Sequence, residues 1–529
     1  MIATVTPKSL AKLVKALEES APEIPRQAAR ILTDAKVSAD DLQAWADFEH
    51  PLRESYGRKL VYDGGFFEVM VMSWAPGDFS AIHDHGFTMW GAVQVFGPAE
   101  HAVFAHNEGS LVTINRTQLT PGRVLAVGHD LIHQMGNPTH ERFFSLHVYG
   151  NPDRNGDITA DARVFDLLHG EIRRTDGGVF FDLPDVAINS REELDPPDYY
   201  SWLFDATKHL AQAKRANRVM SGLLADITSV ERWQMLKDDL ANRVDDAGHI
   251  TDSRYWKWLY STLQEMSALQ RQLIDEQDPE SVDDWTTYAS YYDHVIGTTN
   301  SYIPRYLRHV FNDYGVEPAN VSFLDVGCGT GWLEHVLQDD FGMNRERLLA
   351  VDISPAMLAV ASKRAETRLA GLLDLDESFG QFDVTYCNSY QYLNHEDLEE
   401  AIRRMFDVTK RGGLCISEFI SVDHVRWYPN VIISEDDTVI SLRNPTLMER
   451  NGCTYQENEI ININRLNGLR ITYESTHRRF LCSSRTARDV IATVFGNEPT
   501  VFDSITLDEI PVHQETCIST RYTVCVRRN

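Results

Sequence analysis

At 529 residues, with 43% hydrophobic and 24% charged residues, the chain has the composition of a globular protein too long for a single core, and two or three domains are expected. Its 50 basic and 78 acidic residues leave a formal net charge of -28, which repels phosphate backbones and anionic bilayers and argues against nucleic acid or membrane surfaces as partners. No run of about 18 apolar residues could span a bilayer, no signal-peptide core opens the sequence, and the seven cysteines lack CxxC or small-domain spacing, so reduced thiols and a cytoplasmic location are expected.

In chain order, residues 9–17 place apolar side chains at a spacing near 3.6, and residues 28–32 and 42–48 repeat it, so helices are expected from residue 7 to about 50, packed on the outside of a barrel. Strands dominate from Lys59 to Tyr149. Within them, a strand-like run at 66–74 and the turn Ala75-Pro76-Gly77 lead to His83-Asp84-His85. Alternate side chains on a strand share a face, so His83 and His85 can enter one cavity while Asp84 points away. A third ligand must come from elsewhere. His133, in His133-Gln134-Met135-Gly136-Asn137, follows the turn-rich Thr120-Pro121-Gly122-Arg123 and a short apolar strand, as expected where a barrel folds back on itself. Three neutral imidazoles suit a borderline divalent metal such as iron(II) and leave coordination positions open for a substrate and oxygen. His101, His106, His129 and His140 fit no ligand spacing and are expected as bystanders; His129 is the main rival to His133.

The Gly77-x5-His83-x-His85 spacing and the later His133-x3-Asn137 resemble the two metal-binding motifs of the cupin superfamily. The usual cupin glutamate is missing, with Met89 and Trp90 in its place, a departure that thiol dioxygenases of the cysteine dioxygenase family also show. Tyr56-Gly57-Arg58-Lys59-Leu60-Val61 is similar to that family's carboxylate-binding segment, and Ser145-x-His147-x-Tyr149 to its Ser-His-Tyr outer shell. The resemblance runs from about Tyr56 to Tyr149 and implies that His83, His85 and His133 hold iron(II), that Arg58 pairs with a substrate carboxylate, and that Tyr149, held by His147 and Ser145, hydrogen-bonds the oxygen species. In many animal members a cysteine on the strand after the His-x-His pair is crosslinked to the tyrosine. Here that stretch is Thr88-Met89-Trp90-Gly91-Ala92 and every cysteine lies at or beyond Cys328, so Tyr149 is expected to be a free phenol.

After Gly150 the alternation weakens, and residues 180–197, with Pro184, Pro196 and Pro197, read as an exit from a first domain over residues 1–195. Helical periodicity returns at 202–224, 230–244 and 255–274, giving a bridging segment at 196–284 whose acidic end, 275–284, reads as a linker. Tyr255, Trp256, Trp258 and Tyr260 are expected in a helix core or domain interface.

A second centre begins where the apolar strand at 321–326 meets the glycines of Asp325-Val326-Gly327-Cys328-Gly329-Thr330-Gly331 and opens a helix, so that backbone can approach a ligand at the carboxyl edge of a parallel sheet. The next strand ends at Asp352, placed to accept both hydroxyls of a ribose. The Asp-x-Gly-x-Gly-x-Gly pattern resembles motif one of class I S-adenosylmethionine-dependent methyltransferases; residues 382–388 look like their fourth strand and 410–416 like the turn and strand after it. This resemblance covers roughly 288–529. It implies that Asp325, Gly327, Gly329, Gly331, Asp352 and Asn388 contact S-adenosylmethionine, with Asp374 and Asp376 both open as the adenine-contacting acid. Tyr291, Tyr292, Asn388, Tyr390 and His395 are candidates for the acceptor pocket. Short alternating runs at 438–442, 459–463 and 469–473 suggest an antiparallel insertion over that pocket, and 516–526 reads as the closing strand.

The expected fold is therefore a multidomain chain: an all-β cupin barrel with N-terminal helices, a helical bridge, and an α/β Rossmann-like methyltransferase at 285–529. The expected function is bifunctional, with iron(II)-dependent dioxygenation of the sulfur of a small carboxylate-bearing thiol, cysteine or a close derivative, and S-adenosylmethionine-dependent methylation of a small molecule. The alternative is a methyltransferase with a non-catalytic metal- or ligand-sensing cupin. Partners are then a small thiol, dioxygen and a small methyl acceptor, and the sequence specifies neither the acceptor nor an oligomeric state.

Overall fold

A computed structural model of the chain describes residues 7–529 apart from 108, 218–221, 223–226, 228, 275–284, 286, 287, 466–469 and 515–518. The stretch expected as a linker, 275–284, lies outside the described residues, as does much of 216–228. The chain divides into two compact units, Met1–Asn242 with Lys257–Glu265, and Arg243–Trp256 with Met266–Asn529. The helices expected as a bridge are shared out between them. Tyr199–Arg215 and Val230–Ala241 fall in the first unit, and Ser253–Ile274 supplies residues 257–265 to the first and its ends to the second.

The first unit is built on two antiparallel sheets. One joins β1 (Gly57–Asp63), β2 (Phe67–Trp74), β9 (Phe143–Gly150), β4 (Trp90–Val95) and β7 (Val124–Gly128), in that order. The other joins β12 (Ser190–Glu193), β11 (Glu171–Thr175), β10 (Ala162–Asp166), β3 (Ile82–His83), β8 (Ile132–Gly136), β5 (Ala99–Asn107) and β6 (Ser110–Leu119). Period-2 alternation gives the first sheet two apolar faces. Val69, Val71, Ala92, Leu146 and Val148 pack under Leu10, Leu13, Leu17, Ala28 and Leu32 of the helices Lys8–Ser20 and Pro25–Ala35. The intervening Met70, Met72, Val93 and Tyr149 turn to the opposite face and share a core with Phe79, just before β3, and with Met135 and Val164 of the second sheet.

The second unit carries a seven-stranded sheet ordered β15 (Glu366–Leu369), β14 (Leu348–Asp352), β13 (Phe323–Val326), β16 (Phe382–Cys387), β17 (Thr409–Ile420), β23 (Arg521–Arg527), β22 (Thr500–Asp503). The first five run parallel, and β23 is antiparallel to both of its neighbours. The order reverses beside β13, which creates a crevice at the carboxyl ends of the parallel strands. Between β17 and β22 lies a four-stranded antiparallel sheet of β18 (Val431–Ile433), β19 (Val439–Arg450), β20 (Cys453–Asn464) and β21 (Arg470–Phe480). These strands are longer than the runs read from sequence, because residues such as Glu449 and Arg450 on the outer half of the ribbon are exposed and carry no alternating apolar signal. The closing strand is Arg521–Arg527, and the expected residues 516–518 before it lie outside the described ones. No helix among the described residues is long and apolar enough to cross a membrane.

Candidate functional site

In the first unit, strand register assembles the histidines. His83 on β3 stands directly opposite His133 on β8, and His85 follows two residues after His83. All three are buried, and one ring nitrogen from each lies within 4.8 Å of the other two. The Nδ1 of His83 donates to the Ala81 carbonyl at 2.8 Å, which leaves its Nε2 with a lone pair. The Nδ1 of His133 lies 2.9 Å from Nε2 of His101, while Nε2 of His133 and of His85 are buried without a hydrogen-bond partner. Burial pushes the His83 imidazole down to about 4 and those of His85 and His133 well below the ordinary range, so all three are neutral at physiological pH. Orphaned, neutral nitrogens facing one another form a donor set that suits a divalent transition metal. A second group, Asp166 with Asp205 and His209, is engaged otherwise, since Asp166 already pairs with Arg173 at 2.6 Å and His169 at 2.8 Å.

His101, expected as a bystander, is the residue that sequence reasoning missed here. Burial, and then proximity to His83, lowers its imidazole to about 4, so it is a neutral acceptor for the N–H of His133 and fixes that ring's orientation.

The alternation that sends Leu146 and Val148 under the helices sends Ser145, His147 and Tyr149 of β9 inward. They form a chain. Trp74 Nε1 donates to Ser145 Oγ at 2.8 Å, Ser145 Oγ lies 2.6 Å from His147 Nε2, and His147 Nδ1 lies 2.7 Å from the Tyr149 oxygen. Because the indole can only donate, Ser145 is free to give its own proton to Nε2; His147 then carries its proton on Nδ1 and gives it to Tyr149, leaving the phenolic O–H to point elsewhere. Burial holds His147 down at about 3 and pushes the Tyr149 phenol up, so the imidazole is neutral and the phenol protonated. The Tyr149 ring packs 5.4 Å from that of His85. Gly91 is the cross-strand partner of Tyr149, and a Cβ there would lie 2.8 Å from Tyr149 Cδ1, so no side chain contests the tyrosine's place. Arg58 on β1 borders the same cavity, which spans about 540 Å³ including its open mouth, and its Nη2 donates to Thr159 Oγ1 at 3.1 Å.

In the second unit, Gly327, Gly329 and Gly331 form the turn between β13 and the helix Trp332–Asp339. Gly329 has a φ of +56°, and a Cβ there would crowd Tyr292 Cε1 at 3.2 Å, so the turn requires glycine at this position. Asp352 closes β14; its carboxylate accepts from Gly329 N and Ser354 N, both at 2.9 Å, which holds it at the crevice. Asp325 is buried beneath the turn beside Glu334. Burial raises both carboxyls, Glu334 to about 7, and Asp325 is raised further by its neighbour, so the pair retains a proton near neutrality. Asn388 follows β16 at the same sheet edge. Asp374 accepts from Gly371 N and Asp376 from Ser378 N, each pinning its own turn.

A cavity of about 1610 Å³ adjoins the turn through Tyr292, the one proposed pocket residue of the five that lines it. Tyr390 instead stacks on Phe419 at 4.7 Å and bonds Ser417, Tyr291 is packed in a hydrophobic cluster, and Asn388 and His395 lie outside the lining. The lining that sequence reasoning missed is His424, Tyr428, Arg443, Arg479 and Arg521. Residues of the antiparallel insertion, among them Val431, Ile460 and Arg443, form one wall.

Comparison with known proteins finds matches in each of the two units. Residues 1–156 match the family model for cysteine dioxygenase type I, and residues 323–413 that for a methyltransferase domain. An uncharacterised protein of Rickettsia prowazekii is 24% identical over 128 residues, covering 22% of this chain and 50% of that protein. A malonyl-[acyl-carrier protein] O-methyltransferase of Bacillus cereus is 29% identical over 108 residues, covering 19% of this chain and 38% of its own. The chain thus spans half or less of the length of these curated relatives. Among solved structures, a S-adenosylmethionine-dependent methyltransferase from Clostridium acetobutylicum is 18% identical with a TM-score of 0.36, covering 46% of this chain and 98% of that one. The chain joins a cysteine dioxygenase type I domain at its N-terminus to a methyltransferase domain towards its C-terminus, both of them enzyme domains.

Proposed function

We propose that the first unit is an iron(II)-dependent, cupin-type dioxygenase that converts the sulfur of a small carboxylate-bearing thiol, cysteine or a close derivative, to a sulfinate, and that the second methylates a small molecule with S-adenosylmethionine. The observation that carries the first half is the convergence of three buried, neutral histidines with Arg58 and the Ser145-His147-Tyr149 chain around one cavity. When bound by His83, His85 and His133, iron(II) would supply a coordination site that favours thiolate and the redox chemistry of oxygen. The protein's residues do the rest. Arg58 offers a planar, permanently charged fork that can take a carboxylate by two parallel hydrogen bonds and so fix the thiol end of the substrate toward the histidines. Tyr149, with its oxygen already accepting from His147, keeps its O–H available as a donor at the reacting atoms. Met70, Met72, Trp74, Met135 and Val179 line the cavity and exclude water.

In the second unit S-adenosylmethionine would supply an electrophilic methyl group. Asp352 is placed to accept from ribose hydroxyls, the glycine turn allows close backbone approach, and the cavity beside Tyr292 would receive the acceptor. Oxygen uptake by the iron-loaded protein with a panel of small thiols, alongside transfer of a labelled methyl group into the same panel, tests both halves. Stoichiometric uptake with a carboxylate-bearing thiol is expected. No uptake with any thiol, combined with methyl transfer that responds to added iron or thiol, would make the first unit a sensor.

A further inference from the structure

The large cavity of the second unit has an electrostatic character that the glycine turn and the methyl donor do not explain. Arg443 on β19 is 5% exposed; its Nε donates to Ser441 Oγ at 3.3 Å, and its guanidinium lies 4.8 Å from the Tyr428 ring centroid. Arg479 on β21 hydrogen-bonds the Tyr428 phenol and lies 5.6 Å from the same ring, and its Nε is buried without a partner. Arg521 on β23 completes the set. Among the described residues none of the three makes an ion pair with a carboxylate. Glu418, an acid beside Arg521, accepts instead from the hydroxyls of Tyr302 at 2.8 Å and Tyr386 at 3.0 Å, and among the described residues the carboxylates in the cavity lining are Asp245 and Asp246. Arg443 is buried and Arg479 and Arg521 are half-buried; withdrawing guanidinium groups from water without counter-charges is costly, and a chain with a net charge of -28 has acids to spare for pairing them. Three guanidiniums without an ion pair, in a cavity that meets the glycine turn through Tyr292, are what an anionic ligand would neutralise.

His424 adds a second observation. It is 4% exposed, lines the cavity, packs 4.5 Å from the Tyr428 ring, and both its ring nitrogens lack a hydrogen-bond partner. Burial and the three arginines keep it neutral, so it offers one N–H donor and one lone pair but is a poor base.

We propose that this cavity binds a small methyl acceptor carrying two acidic groups and methylates one of them, a class that includes the sulfinate-carboxylate product of the first unit. The proposal rests on the methyltransferase half of the function above. Two guanidiniums without a carboxylate partner among the described residues and a third beside Glu418 match two negative charges better than one. The chemistry also fits a site lacking a strong base. The bond between the donor's sulfonium sulfur and its methyl carbon breaks, the sulfur keeps the electron pair, and a lone pair of the anionic acceptor, on the sulfinate sulfur or an acid oxygen, forms the new bond to carbon. One positive and one negative charge cancel, and no proton has to leave.

The test uses the full chain without iron, so that the dioxygenase reading is not engaged. The protein is saturated with S-adenosylhomocysteine and titrated calorimetrically with cysteine sulfinate, with cysteine, and with cysteamine sulfinate, which lacks the carboxylate. Cysteine sulfinate should bind at least about ten-fold more tightly than either comparison ligand, as expected for one more charge-assisted contact, and its affinity should fall as salt is raised. With S-adenosylmethionine in place of the homocysteine analogue, mass spectrometry should find a singly methylated product. Arg479→Gln and Arg443→Gln should each weaken cysteine sulfinate about ten-fold or more while S-adenosylhomocysteine affinity, the control for folding, stays within about two-fold. The salt dependence is read on the parent protein and does not require either variant to fold. Equal binding of all three ligands without salt dependence, or preferential methylation of neutral amines or alcohols, would overturn the proposal. Failure of S-adenosylhomocysteine itself to bind would count against the methyltransferase reading instead.

Discussion

The two cavities differ in charge and in construction. In the first unit neutral imidazoles converge from β3, β8 and the residue pair just after β3, all within a few strand positions, and the ligand they suit is a cation. In the second, cationic guanidiniums come from β19, β21 and β23, which belong to two different sheets, and the ligand they suit is an anion. The difference teaches where function is written. A site made from alternate residues of paired strands inherits the strand's period and is visible as spacing. A site made from residues scattered across an insertion has no period, and only the folded chain brings its charges together.

The sharpest way to break this contrast is to remove a metal ligand. His85→Ala leaves two histidines in the first cavity and should abolish stoichiometric iron binding and thiol-dependent oxygen uptake, a loss well beyond the roughly ten- to hundred-fold expected for a residue that only supports a ligand. Methyl transfer should survive, because His85 and the glycine turn lie in separate compact units. Metal analysis and an oxygen electrode check the first half, and a labelled-methyl assay the second. Stoichiometric iron with full uptake in this variant would dissolve the three-histidine assignment.

The corresponding cut in the second unit is Asp352→Ala. It removes the carboxylate held at the crevice by Gly329 N and Ser354 N, and a lost charge-assisted hydrogen bond costs about 1.5–3 kcal/mol. S-adenosylhomocysteine should bind roughly ten- to hundred-fold more weakly by calorimetric titration, with iron content unchanged. Unaltered affinity would take Asp352 out of the cofactor site.

These two residues were legible in the sequence for the same reason: each sits at a strand end with its partners at fixed spacing. The Ser145-His147-Tyr149 chain was legible too, because a period of two puts all three on one face. His101 was not. It reads as one of several histidines that fit no ligand spacing, and its partner His133 is 32 residues away, so no local pattern links them. Its place on β5, which pairs with β8 by Val103 opposite His133, is a long-range fact. Likewise Arg443, Arg479 and Arg521 look like surface charges on amphipathic strands, and their convergence on one cavity follows only from the wall the insertion forms there. Tyr390 and Tyr291 show the converse, since aromatic residues near a crevice were read as lining and are packed in core clusters instead.

A smaller effect tests the outer support of the metal site. His101→Leu keeps volume but deletes the acceptor for His133 Nδ1, and loss of such a partner costs ten- to hundred-fold in metal affinity in comparable sites, so about ten-fold is expected for a neutral one. Competition with a calibrated chelator measures it. An unchanged affinity would return His101 to the role of packing.

The finest distinction concerns the substrate of the first unit, and Arg58 is the residue that makes it. Its guanidinium borders the histidine cavity, half-buried, with Nη2 already donating to Thr159 Oγ1, so one edge of the fork is oriented by the protein before any substrate arrives. A lysine preserves the charge but is a point donor that cannot form two parallel bonds to a carboxylate or keep the Thr159 contact in the same geometry. Arg58→Lys should therefore raise KM for cysteine about ten-fold with a smaller change in kcat, because the interaction lost positions the substrate and is made equally in the ground and transition states. Cysteamine, which has the thiol and the amine but no carboxylate, should be a poor substrate of the parent enzyme and respond by less than about two-fold to the same substitution. If cysteamine were the better substrate and Arg58→Lys changed nothing for either thiol, the arginine would be structural, and the acid-binding character of the first unit would fall while its metal site stood.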